Sequence, residues 1–259
     1  MNPLERSLIE KSGYDNGWEN VLEDTPDRVL LGSSRHGGQA QIISQPGADG
    51  YRVGLTPFSL ATGLRHQLED LGFTAPESDT AFWLLPDRAT LASLLRRSAR
   101  IAQALPNQPE KAYAKELETA LAAIVGSGTE VERIVRQRVG QDIYRKAQLD
   151  YWGGRCAVTG LDLPEVLRAS HAKPWADCQT DAERLDVFNG FLFTPDFDAL
   201  FDRGLMTFDN DGAILISSKV SAQQLTSLRL SDLAKLQLRW ITPNHLPYLV
   251  WHRGKVFTT

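Results

Sequence analysis

The sequence predicts an α+β protein made of two modules. Short apolar runs such as Ala40–Ser44 indicate strands, and longer segments with apolar residues at helical spacing, such as Thr90–Leu105, indicate helices. Small, flexible residues interrupt the chain at residues 126–130, which we interpret as a linker. With 259 residues and 42% hydrophobic content, the chain is long enough to bury two modest cores.

The N-terminal module, residues 1–125, contains no internal repeat, low-complexity tract or recognisable motif. Its apolar patterns alternate between the period of a strand and that of a helix, which is typical of an α+β module. The predicted strands are Val29–Leu31, Ala40–Ser44, Tyr51–Leu55 and Phe82–Leu85, and the predicted helices are Phe58–Leu71, Thr90–Leu105 and Glu110–Ala123.

The C-terminal module, residues 131–259, begins with a basic segment, Val131–Trp152, whose pattern predicts one or two helices. Two apolar runs on either side of Asp209–Gly212 predict a β-hairpin. Short amphipathic helices are predicted near Ser221–Leu228 and Ser231–Leu238. We expect the last segment, residues 245–257, to pack against this module.

Four polar residues in this module have the side chains that hydrolytic chemistry requires. The imidazole of His171 titrates near neutral pH, so it can accept a proton from water. Asp198 and Asp202 are four residues apart on a predicted helix, so both carboxylates face one side. Asn189 precedes an apolar strand and can bridge backbone groups. Taken singly, the two Asp are typical of a solvated helix face and Asn-Gly of a turn, but the ordered set favours a site.

This ordered set resembles the active site of the HNH family of metal-dependent endonucleases, and the resemblance covers about residues 131–218. It implies a ββα-metal fold for the C-terminal module. It also implies that His171 is the general base, that Asn189 orients the strand that carries this base, and that Asp198 and Asp202 hold the metal.

The sequence departs from the family pattern at two positions. Asp198 replaces the third His of the family, and Ser170 precedes the base where many relatives have an Asp or a His. Carboxylate oxygen suits hard cations, so the expected cofactor is Mg²⁺ or Mn²⁺. The paired Cys-x-x-Cys knuckles of other relatives are missing from the sequence, so we expect no structural zinc, and two cysteines argue against a disulfide scaffold.

The expected partner is double-stranded DNA, although the net charge of −4 is low for a DNA-binding protein. Residues 1–125 carry 12 Lys and Arg against 16 Asp and Glu, whereas residues 126–259 carry 16 of each, so the basic side chains concentrate in the second module. The candidate phosphate contacts are Arg138, Arg145, Arg155 and Lys173. The alternative for each arginine is a position on a solvated helix face, and the alternative for Lys173 is a pair with a nearby carboxylate.

These features predict a metal-dependent DNA endonuclease whose C-terminal module cuts and whose N-terminal module selects the substrate. Relatives of this type are often restriction enzymes, including enzymes that cut modified foreign DNA. In that case Tyr14, Trp18 and Trp83 are candidates for an aromatic pocket that holds a flipped, modified base. The alternatives are a DNA-binding regulator with a decayed nuclease site, a structure-selective repair nuclease and a secreted toxin.

The chain has no apolar run of the roughly 18 residues that a bilayer crossing needs, and its start lacks the hydrophobic region of a signal peptide. We therefore expect a cytoplasmic protein without a membrane partner. Cutting both strands of a duplex with a single-site unit takes two cuts, which favours a homodimer.

Overall fold

A computed structural model describes residues 1–44, 50–69, 82–124, 126, 128–228, 230 and 236–259. The structure divides into two compact units, Met1–Gln108 and Pro109–Thr259. The division precedes the linker predicted at residues 126–130. The helix Gln108–Ala122 belongs with the C-terminal unit because its Tyr113 and Leu117 pack in one apolar cluster with Ile143 and Leu185.

The N-terminal unit is an antiparallel sheet with helices, as the sequence predicts. Its five strands are arranged in sequence order from β1 to β5. The elements are α1 (Pro3–Asp15), β1 (Asn20–Asp24), β2 (Arg28–Gly32), β3 (Gln39–Ser44), β4 (Tyr51–Thr56), α2 (Phe58–Glu69), β5 (Phe82–Leu85) and α3 (Arg88–Ala104). The last residues of the predicted helix Phe58–Leu71 lie outside the described residues.

The core of this unit lies on one face of the sheet. Alternate residues along the strands are buried, for example Val29 and Leu31 on β2 and Ala40 and Ile42 on β3. The helices α1, α2 and α3 contact strands β2, β4 and β5 respectively. The intervening residues, such as Leu30, belong to the opposite face, which is more accessible.

The C-terminal unit combines long helices with two small hairpins. The predicted segment Val131–Trp152 forms one continuous helix. The elements are α4 (Gln108–Ala122), α5 (Thr129–Tyr151), β6 (Arg168–His171), α6 (Asp181–Leu185), β7 (Gly190–Phe193), α7 (Pro195–Asp202), β8 (Met206–Phe208), β9 (Ile214–Ile216), α8 (Ala222–Ser227), a 3-10 turn (Pro243–His245) and α9 (Leu246–Lys255).

The ββα unit implied by the resemblance consists of β6, β7 and α7. The two strands pair antiparallel, and α7 contacts both. Large aromatic side chains fill the space beneath them, with Phe191 of β7 contacting Phe201 of α7, Phe208 of β8 and Trp152. Burial of such rings provides most of the stabilisation that this small unit can obtain.

The hairpin predicted around Asp209–Gly212 is also present, as β8 and β9. The Asp209 carboxylate accepts hydrogen bonds from the backbone N–H groups of Asp211 and Ala213, which fixes the turn. Most of the helix predicted at Ser231–Leu238 lies outside the described residues, and its described part includes a β-bridge from Gln237 to Ala213. No helix in the described ranges is long and apolar enough to cross a membrane.

Candidate functional site

The strand pair β6–β7 positions the predicted site residues. The register places Ser170 opposite Phe191 and His171 opposite Gly190, at the end of the hairpin. The chain then turns into α7, which begins with Pro195, where the fixed φ of proline suits the first turn of a helix. This connection brings the carboxylates of α7 next to β6.

Ser170 connects the two carboxylates to β6. Its hydroxyl donates to Oδ1 of Asp202 at 2.8 Å and lies near enough to Asp198 to lower the pKa of that carboxyl group as well. Burial of each carboxyl group raises its pKa, and the Ser170 hydrogen bond opposes this. The negative charge of Asp198 raises the pKa of Asp202 further, although Asp202 as a whole residue remains solvent-exposed. The three side chains form a compact oxygen cluster that favours a nearby positive charge.

The His171 imidazole is held on the other side of the strand end. Its Nε2 lies 2.8 Å from the backbone oxygen of Arg184, so we assign the proton to Nε2. Its ring stacks on Tyr144 of α5, with centroids 3.7 Å apart and planes 20° apart, and the edge of Trp175 approaches it. The other nitrogen, Nδ1, makes no hydrogen bond to any described residue, and the residue as a whole is partly exposed. The arrangement leaves Nδ1 as the accepting atom.

Burial lowers the pKa of His171 from 6.5 to about 4, and the hydrogen bond to the Arg184 carbonyl opposes this only in part. The imidazole is therefore neutral near neutral pH. A neutral ring with its Nε2 proton donated to a carbonyl can accept a proton only at Nδ1.

Asn189 fixes the loop between the two strands. Its amide oxygen accepts from the backbone N–H of Lys173 at 2.8 Å, and its amide nitrogen donates to the carbonyls of Lys173 and Glu183. The side chain is fully buried, so these bonds satisfy groups that water cannot reach. This contact pattern agrees with the orienting role that the resemblance implies.

Two residues of α5, Tyr144 and Gly140, support this loop. The Tyr144 hydroxyl donates to the backbone oxygen of Asn189 at 2.8 Å and receives a hydrogen bond from Gln148 at 3.0 Å. Gly140 contacts the Trp175 ring so closely that a Cβ at this position would lie 2.2 Å from a ring carbon. Sequence reasoning assigned no role to these residues, although Gly140 and Tyr144 are four apart and share one face of a helix.

The predicted phosphate contacts differ in their surroundings. Lys173 pairs with Glu183 at 2.5 Å, and Arg145 donates to the carbonyls of Leu167 and Pro164, so both cations are engaged within the protein. Arg155 pairs with Asp162 at 3.2 Å. The side chain of Arg138 is exposed and has no ion pair with any described residue. The structure thus favours the carboxylate-pairing alternative for Lys173 and a loop-positioning role for Arg145.

The aromatic pocket predicted from Tyr14, Trp18 and Trp83 does not fit the structure. Trp18 is 1% exposed and donates its Nε1 proton to the Leu95 carbonyl, and Trp83 is 4% exposed on the helix-covered face of the sheet. Both rings are core residues with no free face for a base. Tyr14 is exposed on α1.

The cysteines belong to the interior of the C-terminal unit. Cys156 and Cys178 are both buried and free, and the Cys178 sulfur accepts a hydrogen bond from Asn189. Among the described residues, no group of three or more His, Cys, Asp or Glu side chains could hold a metal ion. A metal at Asp198 and Asp202 would therefore take its remaining ligands from the Ser170 hydroxyl, water and substrate.

Residues 156–209 match the family model of HNH endonucleases, a segment that contains His171, Asn189, Asp198 and Asp202. The match indicates a nuclease domain and implies a DNA substrate, and nucleases of this family generally use a divalent metal. No curated protein is similar enough to the chain to count as a relative.

Proposed function

We propose that the chain is a DNA endonuclease that depends on Mg²⁺ or Mn²⁺ and restricts foreign DNA, because residues 156–209 match the family model of HNH endonucleases. The observation that carries this proposal is the arrangement at the end of β6. The neutral imidazole of His171 is held by its Nε2 hydrogen bond on one side, and the oxygen cluster of Ser170, Asp198 and Asp202 lies on the other. A phosphodiester lying across the strand end would contact both groups.

His171 acts as the general base. Its Nδ1 accepts a proton from a water molecule as that water attacks phosphorus and the bond from phosphorus to the leaving oxygen breaks. The Arg184 carbonyl stabilises the resulting imidazolium through Nε2. Stacking on Tyr144 and the Asn189 network keep the ring in place, because a base must stay within hydrogen-bond reach of the water.

Asp198 and Asp202 fit a hard divalent cation. Both carboxylates contact the same Ser170 hydroxyl, and their raised pKa values reflect two partly desolvated acids that a cation would stabilise. When bound, the metal would offset the negative charge that develops on the phosphate and the leaving oxygen. The Ser170 hydroxyl orients the carboxylates and remains a weak ligand at most.

The restriction role rests on the two-unit organisation. A small HNH unit mainly contacts phosphates, so selective cutting needs a second recognition surface, which we assign to the N-terminal unit. Phosphate contact by Arg138 and Arg155 would add non-specific affinity. Such an enzyme would act in the cytoplasm, and two copies would cut the two strands of a duplex.

The main alternative is a DNA-binding regulator with a decayed nuclease site. It is favoured by Ser170 in a position where many relatives have a metal ligand, and by a site with only two carboxylates in the described residues. A structure-selective repair nuclease would share the site but would cut branched DNA irrespective of base modification.

The test is cleavage of modified phage DNA and of matched unmodified DNA by the purified protein with Mg²⁺, Mn²⁺ or a chelator. Asp202→Asn should abolish cutting, and Asp196→Asn, an exposed carboxylate on the same helix, is the matched control that should retain it. Metal-dependent cutting with a preference between the two DNAs supports restriction. Intact DNA binding without cutting under any metal would favour the decayed-site alternative.

A further inference from the structure

The open face of the N-terminal sheet, opposite the helices, contains a cavity that the nuclease site does not use. The cavity has a volume of about 300 Å³ and is lined by residues from all five strands. Its centre is a row of residues paired across the sheet, Leu30 with Gln41, Gln41 with Gly54, and Gly54 with Phe82.

Gly54 and Phe82 give the cavity its aromatic wall. Gly54 has no side chain, and a Cβ there would lie 2.5 Å from a carbon of the Phe82 ring, so the ring lies directly over the backbone of β4. The guanidinium of Arg52 lies 4.3 Å from the centroid of the same ring. A glycine that permits a ring to lie along a strand produces a flat apolar surface, which suits a planar ligand.

Two amides supply hydrogen-bonding groups beside this ring. The side chains of Gln39 and Gln41 line the cavity and make no hydrogen bond to any described residue. Gln41 is half-buried, so the donor and the acceptor of its side-chain amide are only partly hydrated. An amide offers a donor and an acceptor side by side, the pattern that matches the edge of a nucleobase.

The arginines at the edge of the cavity favour a nucleotide, which carries phosphate, over an isolated base. Arg28 lies at the rim and pairs with Glu23 at 2.6 Å, whereas the exposed Arg52 contacts the Phe82 ring. Guanidinium groups beside an aromatic ring and amides can contact the phosphates that flank a bound base.

We propose that this cavity on the open face of the N-terminal sheet binds a single nucleobase turned out of a DNA duplex. The proposal rests on the proposed function, for which it names the recognition site. The volume accommodates a base, and a base can place its face on Phe82 and its edge on the two amides only after it has left the duplex, where its neighbours cover its faces. Phe82 contacts the face of the base, and Gln39 and Gln41 read its edge.

The experiment measures the dissociation constants of modified and unmodified phage DNA fragments for Gln41→Ala and Phe82→Ala, each in a His171→Ala background that prevents cutting. Leu84→Ala is the matched control, because Leu84 is 71% exposed on the same strand and does not line the cavity. We expect each cavity variant to bind the preferred DNA at least about tenfold more weakly, and the control to bind it as the parent protein does.

Unchanged binding by Gln41→Ala would overturn the proposal and would assign the cavity to an occupant other than DNA. Gln41→Ala removes no core contact, so it remains informative if Phe82→Ala fails to fold. Plasmid nicking by the wild type and by Leu84→Ala, both with His171 intact, separates this outcome from failure of the proposed function. Both proteins should nick plasmid, whereas a wild-type protein that never cuts would contradict the nuclease proposal itself.

Discussion

At Gly190 the structure leaves no room for a side chain. Its φ is +151°, and a Cβ there would lie 1.9 Å from the backbone oxygen of Ser170 and 2.2 Å from the Tyr144 hydroxyl. We predict that Gly190→Ala destabilises the protein by more than about 3 kcal/mol, because the backbone of β6 cannot retreat without breaking its pairing with β7. Urea unfolding measures this change.

The matched control is Gly254→Ala on α9. Apart from the backbone of its own helix and its chain neighbours, no atom of the described residues lies within 4 Å of the Cβ that this substitution adds, and the residue is helical. Alanine in a helix is favoured over glycine by about 0.5–1 kcal/mol, so the control should be slightly more stable than the wild type. Equal stability of the two variants would contradict the steric account of Gly190.

Sequence reasoning at this scale succeeds where the chemistry is local. The spacing of Asp198 and Asp202 predicts that their carboxylates share one helix face, and both contact Ser170. It fails where the partner is distant in sequence. The sequence left a carboxylate partner open for Lys173 but did not identify it as Glu183, and it did not indicate that the His171 ring stacks on Tyr144. Both contacts form only when the loop folds back.

At the scale of elements, periodicity predicts β2, β3, β4, β5, α3, α5 and the hairpin β8–β9 close to their observed bounds. The missed elements have weak patterns. The edge strand β1 leaves Val21 and Leu22 exposed, so it lacks the alternation of a half-buried strand. Helix α6 has only five residues, and α9 contains Pro247 and Gly254, which usually indicate breaks.

Helix α5 allows the structural and DNA-binding roles of its arginines to be separated. Arg145 donates to the carbonyls of Leu167 and Pro164, so Arg145→Ala should destabilise the protein by about 1–3 kcal/mol through unpaired carbonyls. Arg138 is exposed, so Arg138→Ala should leave stability unchanged and reduce the salt dependence of DNA binding by about one phosphate contact. Thermal unfolding measures the effect on stability, and DNA binding at several salt concentrations measures the effect on phosphate contacts. A destabilised Arg138→Ala protein, together with an Arg145→Ala protein of unchanged stability, would refute the assignment.

For the whole molecule, buried histidines predict how stability depends on pH. Burial lowers the pKa of both His171 and His252 to about 4, from an ordinary value of 6.5. His252 contacts the Thr207 hydroxyl at Nδ1 and the Phe201 carbonyl at Nε2, and the bond to this carbonyl opposes the effect of burial on its pKa only in part. Between pH 6.5 and 4 the unfolded chain binds protons that the folded protein does not, so stability should fall as the pH drops through this window.

The loss should reach at most about 3 kcal/mol per histidine at the acid end of the window. Urea midpoints measured between pH 7 and 5 test this. The raised pKa values of Asp198 and Asp202 act in the opposite direction. His252→Gln should give a shallower pH dependence, whatever its effect on stability at pH 7. An unchanged slope would show that His252 is not the group responsible.

The central claim is that His171 removes the proton from the attacking water. The most direct test is the single-turnover rate at which His171→Ala nicks supercoiled plasmid with saturating Mn²⁺, alongside the wild type and the Asp196→Asn control. The account predicts a rate lower by about 10²–10⁴-fold, with plasmid binding and thermal unfolding near the wild-type values. A His171→Ala protein that nicks within a few-fold of the wild-type rate would contradict it.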